Sequence, residues 1–92
     1  MKELIYRAAL CKWGPEKQLA KLAEEAAELS AAAARNLTGC GNEAALANEI
    51  ADVEIMIEQF RQNGMDKLID FWKAKKLARL AERLGVVTDG VL

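Results

Sequence analysis

Two acidic pairs on either side of one glycine-rich break constrain most what this chain can fold into. The first lies in Glu24-Glu25-Ala26-Ala27-Glu28 and the second in Glu49-Ile50-Ala51-Asp52, with Thr-Gly-Cys-Gly-Asn at 38–42 between them. Residues three apart on a helix occupy neighbouring positions of one face, about 4.5 Å apart in rise. Glu25 therefore pairs with Glu28, and Glu49 with Asp52. When two helices fold back antiparallel, residues at one level share an index sum. Glu28 with Glu49 and Glu25 with Asp52 both give 77. The midpoint of that register falls between Thr38 and Gly39, at the edge of the break, so four carboxylates are predicted at one level.

Rotational phase supports the same arrangement, at about 100° per residue. The apolar arc of the first helix comprises Leu19, Leu22, Ala26, Leu29 and Ala33, with Glu25 and Glu28 on one flank. That of the second comprises Leu46, Ile50, Val53, Ile57 and Phe60, with Glu49 and Asp52 on the flank of the same sense. Antiparallel helices turn oppositely when seen from one end, so these flanks can face each other across the seam. Four facing carboxylates repel, and burying them unpaired would force some to hold protons or the hairpin to splay. A hard divalent cation removes the difficulty, because oxygen ligands suit magnesium or manganese. EExxE alone reads more readily as a solvated face; the second pair, in matching register, reverses that preference.

EExxE followed about twenty residues later by ExxD resembles the signature of the all-α, MazG-like nucleoside triphosphate pyrophosphohydrolases. The wider runs KLAEEAAEL and EIADVEIMIEQF look most like the short single-domain proteins of that group found in phage and bacterial genomes. The resemblance covers roughly Trp13 to Leu84. It implies an all-α fold of a helical hairpin with flanking helices, assembled as a helical-bundle dimer or tetramer. It also implies Mg²⁺, with Mn²⁺ able to substitute, held by Glu25, Glu28, Glu49 and Asp52. The implied reaction is cleavage of a nucleoside triphosphate between its α and β phosphorus atoms, giving monophosphate and pyrophosphate, in cleansing or control of the nucleotide pool. Phosphoribosyl-ATP pyrophosphatase, a relative of similar length, usually has a Tyr-His pair after its second acidic motif. Here that segment reads VEIMIEQF and the chain has no histidine.

Ninety-two residues make one domain, near the lower end of what a single core stabilises. Hydrophobic residues are 52% of the chain, but many are alanines, which supply little core. Ala51 and Ile55, well away from the main apolar arc, point to a partner subunit. Net charge is −1, unevenly spread: acids outnumber bases nine to three over 16–58, and bases outnumber acids seven to three over 61–83. An acidic cation site and a separate basic helix are what a metal-bound polyphosphate needs, although interhelical ion pairs account for part of this charge. Cys11 and Cys40 lack neighbouring ligands, so no zinc pattern exists. They are expected as free thiols in a cytoplasmic protein, since no signal peptide or membrane span is legible. The absence of histidine excludes Ser-His and Cys-His nucleophile systems.

In chain order, 2–12 reads as a short amphipathic helix, broken at Trp13-Gly14. A long helix should run from Pro15 to about Arg35, and a second from Glu43 to about Asn63 with Asn42 as its cap. On the first, Gln18, Lys21, Glu25 and Glu28 form a polar stripe. Lys21 could reach a phosphate and Gln18 could hydrogen-bond substrate, or both could simply be a solvated flank. The resemblance favours the former, because a Gln and a Lys ahead of EExxE recur in relatives. Glu24 is the candidate base that activates water, or it supports the ligands, or it is merely exposed. Glu54 and Glu58 project away from the seam and read as surface or inter-subunit charges. The GxG in the break is a turn, lacking the strand and lysine of a P-loop.

Gly64 stops the second helix, and a last one should span about Met65 to Leu84. Its apolar side is Leu68, Ile69, Trp72, Leu77, Leu80 and Leu84, with Trp72 read as core. Lys73, Lys76, Arg79 and Arg83 form a basic stripe. In MazG-like relatives basic residues of this helix approach the triphosphate, which selects Lys73, Lys76 and Arg79. Trp13 can pack on a nucleoside base. The tail from Gly85 is frayed or docks on a neighbouring subunit.

The competing reading is a non-catalytic oligomeric helical interaction module whose acids and bases pair across subunits. A ferritin-like di-metal site normally needs Glu-x-x-His motifs. A nucleic-acid binder is opposed by the acidic balance, with an isoelectric point near 5.5.

Overall fold

The computed structural model describes residues 1–87, all of whose regular elements are helical. The first element, α1 (Lys2–Leu37), is kinked at Gly14, where φ is 81° and ψ 168°. Pro15 lacks an N–H and disfavours helical geometry in the residue before it; glycine there can adopt the positive φ that reorients the chain. The predicted break is therefore a bend between two helical arms, 2–13 and 15–37.

The second arm runs antiparallel to α2 (Glu43–Phe60) through a short turn. Asn42 caps α2, its Oδ1 accepting from the Ala45 N–H at 2.7 Å. The seam on α1 is Gln18, Leu22, Glu25, Leu29, Ala32 and Asn36, all buried or half-buried at alternating spacings of four and three. Across it lie Leu46, Glu49, Val53, Met56 and Phe60.

This corrects the expected apolar arcs by one residue of rotation. Leu19, at 60% exposed, Ala26 and Ala33 face outward, as do Ile50 and Ile57 on α2. The helix carries two overlapping apolar stripes, and Gln18 and Glu25 disguise the one that packs. Glu25 is thus in the seam itself rather than beside it.

The arm 2–13 turns back onto the far end of α2. Tyr6 is buried there, and its hydroxyl donates to Glu58 Oε1 at 2.7 Å. Lys2 Nζ donates to Glu58 Oε2 at 2.7 Å, and Gln62 Nε2 to the Glu3 carbonyl at 2.9 Å. Glu58, expected as a surface or inter-subunit charge, instead fastens this arm within the chain.

After α2 the chain passes through a π-helical turn, Arg61–Met65, in which Gly64 has φ 112°. Arg61 clamps the start of α3 (Asp66–Leu84), with Nη1 2.7 Å from Asp66 and 2.8 Å from Asp70. Along α3 every residue from Asp70 to Leu80 is exposed. Trp72 stands edge-on to Phe71, ring centroids 5.3 Å apart, but at 53% exposed it is not core, contrary to expectation.

The radius of gyration is 16.2 Å, against about 12 Å for a packed chain of this length. The accessible area is 7190 Å², about 1,900 Å² more than a monomer of this mass normally exposes. No described helix is long and apolar enough to cross a membrane. The expected fraying or docking concerns the tail from Gly85: Gly85 itself caps α3 in the left-handed conformation, and 88–92 lie outside the described residues.

Candidate metal centre

Glu25 and Glu28 on α1 and Glu49 and Asp52 on α2 come together at the level anticipated. Each offers one carboxylate oxygen, and these four atoms all lie within 4.8 Å of one another. Around an octahedral Mg²⁺, oxygen ligands stand about 3 Å apart when adjacent and about 4.2 Å when opposite. The four are slightly splayed for one ion and can close on it by small side-chain rotations.

Burial sharpens the electrostatic problem. Glu25 is only 5% exposed, Glu49 and Asp52 are half-buried, and Glu28 lies at the rim. Glu25 Oε2 and Glu49 Oε2 are shielded from solvent and lack a hydrogen-bond partner among the described residues. Buried carboxylate oxygens without donors are unfavourable. A divalent cation among these oxygens satisfies both, so the donor set fits a hard metal.

Lys21 is the cation paired with this cluster among the described residues, its Nζ 2.9 Å from Glu25 Oε1 and 3.6 Å from Glu24 Oε1. That ammonium holds the Glu25 carboxyl below its ordinary range, chiefly through the hydrogen bond. Glu28 is pushed the other way, first by the negative charge of Glu25, then by burial and by Glu49. One lysine does not neutralise four acids, and the strain falls on the member nearest solvent.

A cleft of about 590 Å³ opens beside the carboxylates, on the side covered by the first arm of α1. Trp13, Gln18, Lys21, Glu24, Glu25 and Asp52 line it. Trp13 sits at the bend, 49% exposed, on the rim. Trp13, Gln18, Lys21 and Glu24, all the substrate-side candidates on α1, thus share one space with Glu25 and Asp52.

The basic residues of α3 do not. Lys73, Lys76 and Arg79 are exposed and none lines the cleft, so a single chain does not bring them to the carboxylates. Conversely, Gln59 and Met56 of α2 belong to the cleft and went unnoticed in the sequence. Gln59 could have been found, because it shares the index sum of 77 with Gln18.

The chain matches no family model, no curated protein and no solved structure.

Proposed function

We propose that the protein is a Mg²⁺-dependent nucleoside triphosphate pyrophosphohydrolase, releasing nucleoside monophosphate and pyrophosphate. The observation that carries this reading is the convergence of four carboxylate oxygens, two of their neighbours buried and unpartnered, at the edge of a cleft large enough for a nucleotide. The choice of the α–β bond rests on the resemblance of EExxE and ExxD to the MazG-like enzymes.

Glu25, Glu28, Glu49 and Asp52 hold the metal, and Mn²⁺ can take the same oxygen ligands. When bound, such an ion supplies a water of lowered pKa and offsets charge on the attacked phosphoryl group. Lys21, paired with Glu25 one helical turn away, would be free to turn its ammonium to a phosphate oxygen once a cation shared that carboxylate. Glu24, exposed on the cleft wall, takes the proton of the attacking water. Trp13 offers its indole face to the base.

A second copy belongs to this reading. About 1,900 Å² of excess surface per chain lies in the range of obligate homodimers, and α3 leaves Leu68, Phe71, Trp72 and Leu80 bare. Lys73, Lys76 and Arg79 then reach the phosphates from a second copy's α3. The same bare helix favours the other reading, an interaction module without catalysis.

Turnover separates the two. Native protein and a Glu49→Ala variant are incubated with canonical and modified nucleoside triphosphates and Mg²⁺, and the products are resolved by chromatography. Monophosphate and pyrophosphate from the native protein alone is the expected result. Diphosphate and orthophosphate would refute the bond assignment, and no turnover with either metal would favour the interaction module.

A further inference from the structure

Gln18 on α1 and Gln59 on α2, which share the index sum of 77, line one cleft two helical turns from Glu25 and Asp52. That offset, about 10.5 Å along the helix axis, is of the order that separates a nucleotide's phosphates from its base. Both side chains line the cleft and are buried, 6% and 7% exposed. Gln59 Nε2 donates to the Met56 sulfur at 3.6 Å, and its carbonyl oxygen is shielded and unpaired. Gln18 Oε1 and Gln59 Oε1 are without hydrogen-bond partners among the described residues. Core positions at a packed seam normally carry apolar side chains; two amides with idle acceptors there are costly unless a donor completes them.

Resting on the pyrophosphohydrolase reading, we propose that Gln18 and Gln59 read the nucleobase, each accepting one hydrogen of an exocyclic amino group. An amino nitrogen carries two diverging hydrogens, which suit acceptors arriving from two opposed helices. A keto oxygen in the same place would meet those two acceptors unless an amide turned over, which for Gln59 means giving up its bond to Met56. A partial turn about the soft last torsion brings each oxygen to the ligand without moving the helices. The site therefore selects amino bases over their keto counterparts: cytosine over uracil, adenine over hypoxanthine. Trp13, on the rim of the same cleft, covers the ring face.

Nucleosides without phosphate test this apart from metal and turnover. Cytidine, uridine, adenosine and inosine are titrated, in the absence of divalent ions, into ¹⁵N-labelled full-length protein, and the glutamine side-chain amide signals are followed. Cytidine and adenosine should shift the Gln18 and Gln59 signals and bind about tenfold or more tightly than uridine and inosine, as expected for a site built around a polar group. Gln18→Leu and Gln59→Leu, of similar volume and without the buried amide, should remain helical by circular dichroism and lose the preference. Equal or tighter binding of the keto members, a preference surviving in both leucine variants, or no response of these amides to any nucleoside would overturn the assignment. Failure of hydrolysis with the amino preference intact would instead fault the reaction assigned to the acids.

Discussion

Lys21 donates to Glu25 across one helical turn, Nζ to Oε1 at 2.9 Å, although Glu25 also sits among three other carboxylates. The pair is intrahelical, so it steadies one end of the cluster and leaves Glu28, Glu49 and Asp52 without an ion-pair partner among the described residues. A site so arranged carries unbalanced negative charge.

The Lys21–Glu25 bond fixes one pH response. Because Glu25 titrates below its unfolded value in the native state, its contribution to stability is complete above the unfolded carboxylate range and is lost as pH falls through the depressed native pKa. Lys21→Met should remove that contribution. The gap in melting temperature between native and variant protein, widest at neutral pH, should close on acidification below about pH 4. In turnover the same substitution should lower kcat/KM by about tenfold or more, the loss of one charge-assisted phosphate contact.

Glu28 gives the opposite sign. Its native pKa is raised, first by Glu25, so the ionised form opposes folding at neutral pH and protonation relieves it. Without divalent ions, the melting temperature should rise as pH is lowered from neutrality through the raised native pKa towards the unfolded carboxylate value. Glu28→Gln should abolish that rise, melt higher than the native protein in chelator, and lose stabilisation by Mg²⁺.

Register carried the reading of the acids from sequence to structure. An index sum needs only that two helices be antiparallel about a known turn, and Glu25, Glu28, Glu49 and Asp52 satisfied it. Rotation was harder to read. Hydrophobicity placed Leu19, Ala26 and Ile50 inward, whereas the seam takes Gln18, Glu25 and Glu49, polar side chains at positions that packing alone would give to apolar ones. The Tyr6–Glu58 contact was not legible, since it depends on the direction in which the chain leaves Gly14. The exposed face of α3 marks another limit: its apolar residues are evident in sequence, but nothing among the described residues covers them.

The arm of α1 that walls the cleft is held by Tyr6 and Glu58. The phenol titrates above its ordinary range because its hydroxyl donates to the Glu58 carboxylate. This contribution is present below the unfolded pKa of tyrosine and is lost as pH rises through the native one. Tyr6→Phe should lower the melting temperature by a few degrees and increase hydrogen exchange over 2–13 more than over 15–37. Uniform loosening of both arms would contradict a local latch.

The bare stripe of α3 predicts self-association. Sedimentation should give at least twice the 10.1 kDa chain mass, and Phe71→Asp with Leu80→Asp should shift the equilibrium towards monomer. If α3 serves a neighbour's cleft, mixing Glu49→Ala with a Lys73→Ala, Lys76→Ala, Arg79→Ala variant should restore part of the activity that each lacks. A native monomer at micromolar concentration would contradict the assembly.

The most direct test of the account is metal binding without substrate. Mn²⁺ titrated into the native protein, with free ion followed by electron paramagnetic resonance, should be taken up saturably, displaced by Mg²⁺, and bound at least about a hundredfold more weakly by Glu49→Ala. No saturable uptake by the native protein, or equal uptake by the variant, would contradict the assignment of Glu25, Glu28, Glu49 and Asp52 as a metal centre.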